Sequence, residues 1–116
     1  MSSVLIVDHD PHTVTGIDAD VLLKALDLEM ARFEGLGIDT AAALITTDDA
    51  TEPALVTQLT DRPWDVVLIG AGIRRPEQSL IQFERVLNLA RRYAPQAAIA
   101  FDTSTGDGVE AARRWL

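Results

Sequence analysis

Three short apolar runs constrain this chain more than any other feature. Val4-Leu5-Ile6-Val7 ends at Asp8, Asp65-Val66-Val67-Leu68-Ile69 ends at Gly70, and Ala97-Ala98-Ile99-Ala100-Phe101 ends at Asp102. A fourth, weaker run covers Ala41 to Thr46. The runs are continuous rather than alternating. A strand with that pattern is buried on both faces, which is the mark of a parallel sheet covered by helices on each side.

Helical patterns fall between the runs. Leu22, Leu26, Met30 and Phe33 recur at helical spacing, with Asp18 or Asp20 as N-cap and Gly35 or Gly37 as terminator. A short helix is expected from about Pro53 to Thr60, with proline at a tolerated first-turn position. Leu80, Phe83, Leu87, Ala90 and Ala94 form one face of a third helix that Pro95 stops, and a last helix starts near Asp107 and runs to the C-terminus. The order βαβαβαβα with right-handed crossovers predicts a three-layer α/β domain. Its open parallel sheet has about four strands in the order 2-1-3-4, and residues 1–116 form one domain.

Composition narrows the partners. At 116 residues and 47% apolar content the chain builds one core and no second domain. It has no cysteine, which excludes disulfides, thiolate metal sites and cysteine nucleophiles. The net charge of -8 opposes nucleic-acid backbones and anionic membrane surfaces. Lys24 is the single lysine; the other basic residues are arginines. No apolar run approaches the roughly 20 residues of a membrane span, and the start of the chain lacks a signal-peptide pattern, so the expected compartment is the cytoplasm.

Sheets of this order bind ligands outside the C-terminal strand ends, where strand order reverses. That point lies between the first and third strands. It gathers Asp8, His9 and Asp10 on one side and Gly70 to Arg74 on the other, with Asp102 and Thr103 one strand further along. The Gly70-Ala71-Gly72 turn beside Arg74 is suited to one anionic group, held by backbone N–H groups and a guanidinium. The competing reading is a plain strand-to-helix turn, with Arg74 paired to a carboxylate such as Glu84. Ile69 to Arg74 also looks like the start of a dinucleotide fingerprint, but Arg75 stands at its third glycine position and the motif follows the third strand rather than the first; no cofactor is expected. His9 and His12 with Asp8 and Asp10 offer metal-ligand atoms within five residues, Asp8 and Asp10 being the candidates, against the plainer reading of a polar loop in which no metal binds. The stretch from His9 to Ile17 is long enough to fold over the sheet edge as a lid, or to be a solvated connection. Asn88 is a poor helix former within the third helix, which suggests a specific hydrogen bond there.

The opening Val4 to Pro11, VLIVDHDP, resembles that of bacterial response-regulator receiver domains, whose first strand ends in an acidic pair that holds Mg²⁺. Asp8 matches the first acid and His9 replaces the second. Gly70 occupies the position of the phosphorylated aspartate, and the fifth strand with its lysine is missing. The resemblance therefore implies the architecture without the phosphorelay. Asp8-His9-Asp10 also resembles the DxD motif of haloacid-dehalogenase-type phosphatases, which implies Asp8 as nucleophile and Asp10 as acid/base. His12 departs from the Thr or Val of that pattern, and a loop capped by the two acids is the alternative. Finally, Gly70 to Arg74, Phe83-Glu84, Asn88, Ala94-Pro95, Phe101, Thr103 and Arg114-Trp115-Leu116 are similar to a group of short bacterial α/β proteins carried as hypothetical. That resemblance implies a stand-alone chain and directs attention to Arg74, Asn88 and Thr103.

Three functions follow as expectations. The first is a non-catalytic module that binds a small anionic ligand or a protein partner through Gly70, Ala71, Gly72, Arg74, Asn88 and Thr103. The second is an enzyme on a phosphorylated or carboxylated substrate, with Asp8 or His9 as base and Arg74 as anion clamp. The third is a homodimer with its contact around Trp115 or the third helix.

Overall fold

The computed structural model describes the chain except for Met1, Val14, Thr15, Ile17, Thr47 and Asp49, and except for the side chain of Thr105. The elements in chain order are β1 (Ser3–His9), α1 (Ala19–Gly35), β2 (Asp39–Ile45), α2 (Thr51–Thr60), β3 (Val66–Ile69), α3 (Ala71–Arg74), α4 (Leu80–Tyr93), β4 (Ala98–Phe101) and α5 (Gly108–Arg113). The four strands form one parallel sheet in the order β2-β1-β3-β4. This is the expected α/β architecture.

Alternation along each strand divides the core into two layers. Leu5, Val7, Ala43, Ile45, Val67 and Ile69 point to one face and pack against Leu55 and Leu59 of α2 and Val86, Leu89 and Ala90 of α4. Val4, Ile6, Val66, Leu68 and Ala100 point to the other and pack against Leu26 and Phe33 of α1 and Val109, Ala111 and Ala112 of α5. Each fully buried side chain of this size contributes about 1.5–3 kcal/mol by leaving water. Trp64 packs within the first layer, and its indole N–H donates to the carbonyl of Gln58 at 2.8 Å.

Local chemistry sets the boundaries. Asp18 caps α1, its carboxylate accepting from the N–H groups of Asp20 and Val21. Gly37, with φ 73°, turns the chain out of that helix toward β2. Helix α2 begins at Thr51, earlier than the proline suggested, because Thr51 Oγ1 bonds back to Thr46. The structure refines three readings of the sequence. The turn expected at Gly70-Ala71-Gly72 enters a short helix, α3, that takes in Ala71 and Gly72. Leu80 is exposed, while the expected Phe83, Leu87, Ala90 and Ala94 pack in or against the core together with Val86 and Leu89. The last helix stops at Arg113. The lid expected between His9 and Ile17 is a 3₁₀ turn over Pro11–Thr13; the rest of that stretch includes residues outside those described. Among the described residues, no helix is long and apolar enough to cross a membrane.

Candidate functional site at the C-terminal end of the sheet

The register of β1 on β3 pairs Val7 with Ile69, so Asp8 and Gly70 are the next neighbours and share one face of the sheet. A Cβ on Gly70 would stand 2.6 Å from Asp8 Oδ2 and 2.7 Å from its Cγ, and one on Gly72 would stand 3.2 Å from Oδ1. The Asp8 carboxylate therefore fills the space that the missing side chain of Gly70 leaves. Its Oδ1 accepts the N–H of His9 at 2.8 Å. Burial nevertheless pushes its pKa above the ordinary carboxylate range, against the lowering effects of that bond and of the His9 charge.

Asp102 follows β4 and is almost fully buried, with 5% exposure. Its Oδ1 accepts the N–H of Ala71, the first residue of α3, at 2.9 Å. Burial pushes its pKa up to about 6, and the charges of Asp8 and Asp107 push the same way; the Ala71 bond and the Arg74 charge pull it down. Two carboxylates from two strand ends thus converge on the turn after β3. Among the described residues, no basic side chain is ion-paired to either.

Arg74 is the nearest candidate partner, and its geometry differs from the expected pairing with Glu84. Its Nη2 donates to the backbone carbonyl of Asp102, and its guanidinium lies 5.5 Å from the centroid of the Phe101 ring. Its buried Nε has no partner among the described residues. Arg74 therefore ties α3 to the end of β4.

The other expected site residues are spread out. Alternation puts His9 on the opposite face of the sheet from Asp8, and burial lowers its pKa. The convergence of Asp8, His9 and Arg74 that base-and-clamp chemistry needs is not formed by these side chains. Thr103 is exposed and bonded to Asp107, whose carboxylate accepts from its N–H at 3.0 Å and from its Oγ1 at 2.6 Å. Asn88 donates to the Glu84 carbonyl one helical turn back and lines a cleft along β4, away from the strand ends. Asp10 accepts the N–H of His12 at 3.0 Å and organises the turn that follows. Among the described residues, no three histidine or acidic side chains gather as metal ligands.

Glu29 was not anticipated. It is 4% exposed, accepts the N–H of Val109 at 2.6 Å and pairs with Arg32 at 3.2 Å. The signal in the sequence was a glutamate inside the apolar stripe that runs from Leu26 to Phe33.

No family model and no curated protein matches the chain. Among solved structures it is similar to a fragment of a putative lipoprotein from Peptoclostridium difficile 630. The TM-score is 0.55 at 12% identity, over 98% of this chain and 96% of that one. At that identity the likeness is one of fold.

Proposed function

We propose that this chain is a non-catalytic binding module of receiver-like architecture, and that the end of its sheet at Asp8, Gly70 to Arg74 and Asp102 receives a cationic group. The observation that carries the reading is the pair of carboxylates around Gly70, drawn from two strand ends and lacking an ion-paired basic side chain among the described residues. A ligand ammonium or guanidinium relieves their repulsion and needs only two acceptors. Such a group suits the site better than a metal ion, which takes more ligands. The anionic ligand expected from the glycine turn would have to approach two carboxylates, with Arg74 already bonded to the Asp102 carbonyl.

Thermal melting in the presence of putrescine, argininamide or phosphate at constant ionic strength separates the two charges of ligand. A ligand that binds the folded state raises the Tm with concentration. The expected result is a rise with either amine, lost in Asp8→Asn, and none with phosphate. A rise with phosphate alone, unchanged in Asp8→Asn, overturns the cationic reading in favour of the anionic one. No rise with any of the three removes small-ligand binding at this site.

A further inference from the structure

Both edges of the sheet present outward backbone groups, and side chains reach some of them. On β2, Gln58 Nε2 donates to the Ala42 carbonyl at 3.0 Å. Just past its end, Gln82 Nε2 donates to the Thr46 carbonyl at 2.7 Å, and Thr51 Oγ1 accepts the Thr46 N–H at 2.9 Å. Side chains thus reach the Ala42 carbonyl and the residue that follows β2. On β4 the Ala98 N–H bonds inward to Asp65, so alternation turns the N–H and carbonyl groups of Ile99 and Phe101 outward. Of these only the Phe101 carbonyl has a partner among the described residues, Arg114 Nη2 at 3.2 Å. An open strand edge is a template for another strand.

The surroundings of this edge select what can add to it. A cleft of about 1020 Å³ between α4 and β4 is lined by Leu87 and Ile99 and rimmed by Arg91 and Arg92. Arg114 stands on the side of α5. The chain has 18 acidic residues, yet the ion pairs of arginine among the described residues involve only Arg32 and Arg62. Helix C-termini favour arginine, which accounts for Arg91 and Arg92 individually. It does not account for three arginines along one open edge, none ion-paired with a carboxylate among the described residues, in a chain of net charge -8.

We propose that the free edge of β4 receives an acidic, extended segment of a partner protein as a fifth strand. Its backbone would pair with Ile99 and with the Phe101 N–H, alternate apolar side chains would enter the cleft beside Leu87 and Ile99, and its carboxylates would meet Arg91, Arg92 and the guanidinium nitrogens of Arg114 not used on the Phe101 carbonyl. A second copy of this chain is a poorer occupant, because β4 against β4 brings these arginines toward their own counterparts.

The test uses a fluorescein-labelled Glu-Val repeat octapeptide, read by anisotropy, with a Lys-Val repeat as control. The Glu-Val peptide is expected to bind and to weaken about tenfold in Arg91→Glu/Arg92→Glu, the combined effect of two rim ion pairs. The Lys-Val peptide is expected to bind at least about tenfold more weakly. Hydrogen exchange read by NMR should show the Ile99 and Phe101 amides slowed by the Glu-Val peptide, a change that charge attraction alone does not produce. The proposal is overturned by no binding, by equal binding of the two peptides, or by unchanged exchange at Ile99 and Phe101. Displacement of the bound peptide by duplex DNA at lower concentration, or a dimer in light scattering that holds the same amides protected without peptide, also overturns it.

Discussion

Glu29 and Asp8 each press a carboxylate against a glycine of a neighbouring element, and the surrounding chain compensates the two charges differently. A Cβ on Gly108 would meet Glu29 Oε1 at 2.9 Å, as one on Gly70 would meet Asp8 Oδ2 at 2.6 Å. Around Glu29 the chain supplies both a backbone donor, the Val109 N–H, and a counter-charge, Arg32, which also pairs with Glu110. Around Asp8 the neighbouring acid is Asp102, and each carboxylate has a backbone donor but no ion-paired base among the described residues. A buried charge that is fully satisfied ties elements together, whereas a pair left repelling costs stability and is retained where a ligand can use it. The contrast separates a carboxylate compensated by a counter-charge within the fold from one that is not.

The sharpest way to break the comparison is to remove each group and compare signs. Glu29→Ala leaves the Val109 N–H buried without its acceptor and releases Arg32, for an expected loss of about 3 kcal/mol in urea unfolding. A loss near zero would mean that Glu29 is no better satisfied than Asp8. Gly70→Ala is expected to cost about 2 kcal/mol, because the new methyl overlaps the Asp8 carboxylate. The backbone there, φ -68° and ψ 149°, accepts alanine, so all of this cost should come from Asp8. In an Asp8→Ala background the same change should be close to neutral. A cost that persists there would place the strain elsewhere and detach Asp8 from the glycine.

Much of this was legible in the residues. The runs at Val4 and Val66 give the strands directly, because a buried parallel strand needs continuous apolar sequence, and the strand order follows from crossover rules. Asp8 and Gly70 were readable as neighbours because both close such runs. Their contact was not, because it depends on register and on which face each side chain takes. Arg74 was read as an anion clamp because a guanidinium beside a glycine turn commonly is one. Its bond to the Asp102 carbonyl is a choice among acceptors that only three-dimensional proximity decides. The grouping of arginines at the β4 edge is not legible, since Arg91 and Arg114 lie far apart in sequence and meet only through β4. Glu29 escaped because its partner, the start of α5, comes from the far end of the chain.

The smallest predicted effect tests the cost of the buried Asp102 charge. The folded-state pKa of Asp102 is raised from 3.8 to about 6 chiefly by burial, with Asp8 adding to it. Above pH 6 both folded and unfolded chains carry the charge, and the folded state bears the full penalty. Between about 6 and 3.8 the folded chain takes up the proton first, so stability from this group rises as pH falls through that window. Asp8 titrates in the same direction, while Asp107, held low first by its bond from Thr103, acts oppositely in more acid solution. Asp102→Asn keeps an oxygen for the Ala71 N–H and removes the charge. It should stabilise the protein at pH 7 by about 1 kcal/mol, once the full shift is discounted for the water that reaches the carboxylate. The gain should shrink toward zero by pH 4. Urea unfolding of both proteins across that range decides it: a gain that does not depend on pH would come from packing rather than charge, and a loss at pH 7 would mean that Asp102, like Glu29, is fully compensated within the fold.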